Sequence, residues 1–189
     1  LMIEVERRAY ADRAAHIGDP DFWKVPQKTL LSDAYLKNRM ADYKKDIAGT
    51  SSQTLAGNIK TSEETTHFSV IDAEGNMVAV TTTLNGGYGN STVVGGAGFL
   101  MNNEMDDFSA KAGVPNLYGL IGTKANEIQP QKRMLSSMTP TIITENNQLK
   151  MVVGTPGGST IITSVFQVVL NVLEMKMNMQ QAVEFPRFH

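Results

Sequence analysis

Thr65-Thr66-His67-Phe68-Ser69-Val70-Ile71-Asp72-Ala73-Glu74-Gly75-Asn76-Met77-Val78-Ala79-Val80-Thr81-Thr82-Thr83-Leu84 is the stretch on which the fold turns. Thr66 to Asp72 and Met77 to Leu84 alternate and are rich in β-branched residues, with the turn formers of Asp72–Asn76 between them. Alternate side chains of a strand face opposite sides, so the pattern predicts a β-hairpin. Downstream, Gly98 to Asn102 predicts a third strand. Thr141 to Glu145 and Leu149 to Gly154, joined through Asn146-Asn147, predict a second hairpin. The turn Gly154-Thr155-Pro156-Gly157-Gly158 then opens an apolar helix from Ser159 to about Met175, and a last helix from Met179 to Phe185 stops at Pro186.

Upstream of the hairpin, residues 1–18 read as an amphipathic helix with Met2, Val5, Ala9 and Tyr10 near one face and Gly18 as its stop. A turn cluster, Gly18-Asp19-Pro20-Asp21, follows. A second helix starts at Ser32 or Asp33 as N-cap and sets Tyr35, Leu36, Met40 and Tyr43 at helical spacing. Residues 46–64 are rich in Ser, Thr, Gly and charge and hold no aromatic ring, the composition of a mobile surface linker. Helices, then antiparallel hairpins, then helices predict an α+β layered domain rather than a doubly wound sheet.

Composition narrows the function. The 189 residues suffice for one domain with a real core, and a division into two is open. Lys plus Arg number 17 against 19 Asp plus Glu, a net charge of −2, which argues against a nucleic-acid platform. With no cysteine, disulfides, thiol catalysis and zinc–thiolate sites are excluded, although the compartment is not fixed. No apolar run approaches the roughly 18 residues that span a bilayer. The chain opens at Leu1, inside a predicted helix and with no signal segment, and so reads as a fragment.

Several stretches offer chemistry. Gly86-Gly87-Tyr88-Gly89 and Gly95-Gly96-Ala97-Gly98 lie between predicted strands, so neither fits a dinucleotide fingerprint. The turn at 154–158 does lead from strand to helix, but no lysine follows it as in a P-loop. It is either a tight turn that needs positive φ angles, or a set of backbone N–H groups that hold a phosphate, a carboxylate or an oxyanion. Asn102-Asn103-Glu104-Met105-Asp106-Asp107 gathers three carboxylates and two amides: a solvated turn, a hard-metal site on Glu104, Asp106 and Asp107, or a pocket for an ammonium group. The spacing lacks the central glycine of a calcium loop, which weakens the metal reading. Ser136-Ser137 is a polar turn or a pair of hydroxyls for a carboxylate. His16, His67 and His189 show no paired spacing.

Thr65 is the sharpest feature. Threonine favours strand starts for its own reasons. Alternatively, the bond between Glu64 and Thr65 is cut, and Thr65 gains a free α-amine of pKa about 8 that serves as base for its own hydroxyl. A chain without a recognisable triad then has a self-contained route to acyl transfer.

With those residues in view, the sequence resembles the γ-glutamyltranspeptidases, members of the N-terminal nucleophile (Ntn) hydrolases. The resembling segments are Tyr10-Ala11-Asp12-Arg13, Gly18–Phe22, Thr65–Val70, Thr81–Asn85 and Asn102–Ser109. Lys132-Arg133, Leu135–Thr141, Gly157-Gly158-Ser159 and Pro186–His189 complete the set, which covers nearly the whole chain in order. The resemblance implies an αββα sandwich and a precursor that cleaves itself between Glu64 and Thr65. Residues 1–64 would then be the C-terminal part of a large subunit, and 65–189 the N-terminal part of a small catalytic one. It implies Thr65 as nucleophile, Thr83 as its hydrogen-bonding partner, and Gly157 and Gly158 as a backbone oxyanion hole. Asn85, Glu104 and Asp107 are implied to hold a substrate α-ammonium, Ser136 and Ser137 its α-carboxylate. Thr81, Thr83 and Asn85 share one strand parity, so one face can present them together. Residues 112–125, with Tyr118 at the centre, resemble the lid loop.

The implied substrates are glutathione and other γ-glutamyl amides, with water, amino acids or peptides as acceptors. Neither cofactor nor metal is called for, and the implied location is periplasmic or extracellular. Met134 and Thr160 stand where the family often has proline and arginine. The family also supplies a substrate-binding arginine from upstream of Leu1 and continues past His189, so the segment alone is expected to be inactive. Two other classes stay in view: a non-catalytic domain that binds a charged small molecule on its acidic and Gly-rich loops, and a metal-dependent hydrolase.

Overall fold

The computed structural model describes residues 1–50, 65–111, 113–116 and 119–189. They fall into two compact units, one drawn from Leu1–Lys60 with Met105–Ser136, the other from Thr61–Glu104 with Ser137–His189. Packing defines these units, not the position of any scissile bond.

The first unit carries α1 (Met2–His16), α2 (Gln27–Leu30) and α3 (Asp33–Arg39). Sequence periodicity predicts an apolar face on α1, and the structure corrects this. Ala9 is exposed, and the buried side chain of the helix is Glu4. Arg7 and Arg8 both reach the Glu4 carboxylate, and the Gly49 N–H donates to it at 3.0 Å. Arg8 also donates to the Arg39 carbonyl at 2.7 Å, and Arg39 to Asp12 at 3.1 Å, so α1 and α3 are joined by charge-assisted bonds. A buried carboxylate is tolerable only when its acceptors are satisfied this fully. The Ser32 hydroxyl caps α3 by accepting from the Tyr35 N–H, as expected, but the helix ends at Arg39, short of Tyr43. The single turn of α2 is too short for any periodic signal. Most of the expected linker, 51–64, lies outside the described residues.

Gly18 follows α1 where it meets the short 3-10 turn Lys124–Asn126; a Cβ there would strike the Ala125 carbonyl. The Thr123 hydroxyl donates to the Ala14 carbonyl at 2.9 Å on the same side. Asp19 is buried, and its carboxylate accepts from Arg133 through the backbone N–H at 2.8 Å and the guanidinium at 3.0 and 2.5 Å. Those bonds hold its pKa well below the usual carboxylate range.

The second unit holds the hairpins. β1 (Thr65–Ile71) pairs antiparallel with β2 (Met77–Thr83) in the register Thr65↔Thr83 to Ile71↔Met77. The Asp72 carboxylate braces the turn by accepting from Glu74 and Asn76, and Gly75 (φ 86°) takes the left-handed position. β3 (Thr141–Glu145) pairs with β4 (Gln148–Val153), closed by Asn146 (φ 51°) and Asn147 (φ 61°) as a two-residue turn with both residues left-handed. No strand forms at 98–102. Gly96 and Gly98 are left-handed, and the segment keeps only an isolated bridge between Val93 and Leu100.

α4 (Ile161–Leu173) packs on one face of the second hairpin, and α5 (Met179–Glu184) packs on α4. The core there is Met151, Val153, Ile161, Val165, Val168 and Ala182, with Ile143 and Met138 at its margin. The Asn178 side chain and Gln181 form a complete capping box at the start of α5. The described helices and antiparallel hairpins make the fold α+β.

Candidate active site

Thr65 opens β1, and its cross-strand partner is Thr83, the last residue of β2. Directly paired residues put their side chains on the same face of a hairpin. His67↔Thr81 continues that face, with His67 Nδ1 2.8 Å from the Thr81 hydroxyl and Nε2 3.1 Å from that of Ser69. Burial holds the His67 pKa below its ordinary value.

Strand parity predicts that Asn85 extends the row of Thr81 and Thr83. It does not, because β2 ends at Thr83 and Asn85 turns into the left-handed region (φ 72°). The Asn85 N–H instead donates to the Thr83 hydroxyl oxygen at 2.9 Å, and its side-chain amide donates to the Asn103 carbonyl at 3.2 Å. Asn103 returns two bonds to the same loop: its N–H to the Leu84 carbonyl (3.0 Å), and its side-chain oxygen to the Gly86 N–H (2.8 Å). Asn85 is thereby buried and ties the end of β2 to the segment entering Glu104. Glu104 is also buried, at the start of a 3-10 turn that runs to Asp107, and its N–H is capped by the Asn102 side chain at 3.0 Å.

Gly154, where the glycine turn begins, lies against the same hairpin. A Cβ at Gly154 would overlap the His67 imidazole, so the backbone leaving β4 passes directly over β1. Gly157 (φ 134°) adopts a conformation closed to ordinary residues and Gly158 (φ 54°) the left-handed one that favours glycine, and they lead through Thr160 into α4. The Thr160 N–H and hydroxyl both bond the Gly157 carbonyl, at 3.0 and 2.8 Å. A glycine turn that leads into a helix sits at the positive end of the helix dipole, which suits a developing negative charge. Behind it, the Thr163 hydroxyl donates to the Thr160 carbonyl (3.0 Å) and meets His189 Nδ1 at 2.8 Å. Ser137 also belongs to this unit, its carbonyl accepting from the Thr139 hydroxyl at 3.0 Å.

Asp107 and Ser136 belong to the first unit. Asn126, buried between them, donates to the Asp107 carbonyl at 2.7 Å and accepts from the Leu135 N–H at 3.0 Å. The Arg13 guanidinium donates to the carbonyls of Leu135 (3.4 Å) and Ser136 (3.3 Å), and burial lowers its pKa. Arg13, Asp107, Asn126 and Leu135 help line a cavity of about 20 Å³, enough for a single water and not for a substrate. Glu64 and Tyr118 lie outside the described residues. Sequence reading assigns no role to Asn126, Arg13 or Thr163: an asparagine in a polar turn, an arginine on a helix and a threonine in an apolar helix carry no local signal of what they bond.

The described residues contain no helix long and apolar enough to cross a membrane. Residues 1–189 all match the family described as Gamma-glutamyltranspeptidase. The chain is 49% identical over 189 residues to the glutathione hydrolase proenzyme of Pseudomonas aeruginosa, covering all of this chain and 34% of that protein. It is likewise 49% identical over 191 residues to the proenzyme of Escherichia coli, covering 33% of it. A solved γ-glutamyltranspeptidase from Helicobacter pylori aligns with a TM-score of 0.64 and 59% identity over 66% of this chain and 67% of that one. The chain thus spans about a third of the length of these curated relatives. With every residue matched and the relatives this similar, the chain belongs to the γ-glutamyltranspeptidase family.

Proposed function

We propose that this chain carries the nucleophile and much of the substrate pocket of a γ-glutamyl transferase and hydrolase acting on glutathione and related γ-glutamyl amides. The precursor cleaves itself between Glu64 and Thr65, and the two products remain together as large and small subunits. The observation that supports this most is Thr65 at the first position of β1, opposite Thr83, with Gly154, where the glycine turn begins, against His67 of the same hairpin. Helices with antiparallel hairpins also suit the αββα sandwich, whose remaining strands would come from the rest of the protein.

In the reaction, the free α-amine of Thr65 takes the proton of its own hydroxyl, and the oxygen attacks the γ-carbonyl carbon. Negative charge gathers on the carbonyl oxygen, against the N–H groups of Gly157 and Gly158. The amide C–N bond then breaks, and the leaving amine takes the proton from the Thr65 ammonium. This leaves a γ-glutamyl ester on Thr65. Water or an acceptor amine gives its proton to the same α-amine and attacks the ester, and the Thr65 hydroxyl is restored as glutamate or a new γ-glutamyl amide departs. We assign Glu104, Asp107 and Asn85 to the substrate ammonium, and Ser136 and Ser137 to its carboxylate. That division of charge selects an amino-acid head group. No step calls on a metal or cofactor.

The test is turnover of a γ-glutamyl anilide by the full-length protein and by its Thr65→Ala variant. Anilide release that disappears with the hydroxyl, and that a chelator leaves intact, is the expected result. Ligand binding without turnover would overturn the reading in favour of a non-catalytic domain.

A further inference from the structure

We infer that Asn126 sets the spacing between the group that takes the substrate's α-ammonium and the group that takes its α-carboxylate, acting as a positioning residue. The inference rests on the reading of Asp107 and Ser136 as those two ligands. Asn126 is 6% exposed, and both ends of its side-chain amide are spent on backbone. Nδ2 donates to the carbonyl of Asp107 itself at 2.7 Å, and Oδ1 accepts from the N–H of Leu135, next to Ser136, at 3.0 Å. A carbonyl on one side and an N–H on the other fix which end is which. The main chain of Asn126 is anchored too: its carbonyl accepts from the Ser109 N–H at 2.8 Å, and its N–H donates to the Thr123 carbonyl at 3.1 Å. Arg13 supports the Ser136 side from behind.

The two ends of a planar amide cannot move independently, so the segment bearing Asp107 and the segment bearing Ser136 are held at one separation. The ligand demands this. An α-ammonium and an α-carboxylate share one carbon, so their separation is constant, and groups that bind both at once must match it. A misplacement of about 1 Å costs on the order of a hundredfold in such sites. A residue that only held the fold together would weaken every ligand alike. A spacing residue penalises only ligands that carry both groups.

The experiment measures competitive inhibition of the full-length enzyme by L-glutamate, by glutarate, which lacks the ammonium, and by 4-aminobutyrate, which lacks the α-carboxylate. Inhibition constants do not depend on how much enzyme is folded, so a variant that folds poorly still reports. For Asn126→Ala the expected result is a rise of about tenfold to a hundredfold for L-glutamate, with changes of less than about twofold for the other two. Asn126→Asp, nearly identical in shape, keeps the acceptor and sets a carboxylate against the Asp107 carbonyl, and should show the same selective loss. Equal rises for all three inhibitors, or none, overturn the inference. Asp107→Asn and Ser136→Ala serve as controls. If both weaken L-glutamate and the Asn126 variants do not, this inference alone fails. If neither control weakens it, the assignment of Asp107 and Ser136 fails and takes the inference with it.

Discussion

Thr83 does two things at one atom: its hydroxyl oxygen accepts the Asn85 N–H, and it stands across the hairpin from Thr65. Replacing it by valine keeps the shape and removes the hydroxyl, so Asn85 loses an anchor and Thr65, the proposed nucleophile, loses its proposed partner. Turnover of a γ-glutamyl anilide by Thr83→Val should fall about tenfold to a hundredfold in kcat, the size of one or two polar bonds in a buried site. An unchanged kcat would remove Thr83 from the mechanism. Gly154 gives a steric test at the same scale. A methyl group there meets the His67 ring, so Gly154→Ala should push the turn off β1 and reduce both self-cleavage and turnover. The first hairpin could be read from the sequence because its alternation and turn residues are local signals, whereas Thr83 as the partner of Thr65 came only from the resemblance. Asn126 could not be read, because its partners, Asp107 and Leu135, come together only through folding.

Among the elements, α1 departs most from its sequence pattern, since what it buries is a carboxylate. The Glu4 pKa falls from the ordinary 4.5 to about 2, chiefly through Arg8, then the Gly49 N–H and Arg7. A depressed carboxylate pKa adds stability that is complete above the unfolded value and disappears as pH falls through the folded one. Acid unfolding should therefore show a contribution lost between about pH 4.5 and pH 2, and Glu4→Gln should flatten that limb. An identical acid limb in the variant would refute the assignment. The β3–β4 turn was legible in its position, Asn146-Asn147, while β4 starts one residue earlier than expected, at Gln148; both asparagines take positive φ. Asn147→Val should cost about 1–2 kcal/mol by urea unfolding, because a β-branched side chain resists that conformation. The third strand was misread because Gly98-Phe99-Leu100 has strand composition, while Gly96 and Gly98 bend the backbone out of the extended region. Composition reports propensity; the glycines' φ angles were decided by the surrounding turn.

For the molecule as a whole, the apolar surfaces are the telling feature. Phe68, Val70 and Val78, all on the face of the first hairpin opposite Thr65, are about half exposed. The 189-residue chain alone should therefore self-associate as its concentration rises, and light scattering on it should show this. A monomer throughout would contradict the expectation. α+β architecture, both hairpins and the closing helices were legible because hydrophobic period, turn residues and caps are local signals. The grouping of residues 105–136 with the N-terminal helices was not, because it rests on bonds such as Asp19 to Arg133 between distant positions. In the proposed reaction Thr65 becomes an N-terminal nucleophile. The most direct test of this is denaturing mass spectrometry of the full-length protein after exposure to a γ-glutamyl electrophile. Two fragments parted between Glu64 and Thr65, with the adduct on the Thr65 residue of the second, are predicted. One intact mass that still turns over substrate, or an adduct on another residue, would contradict it.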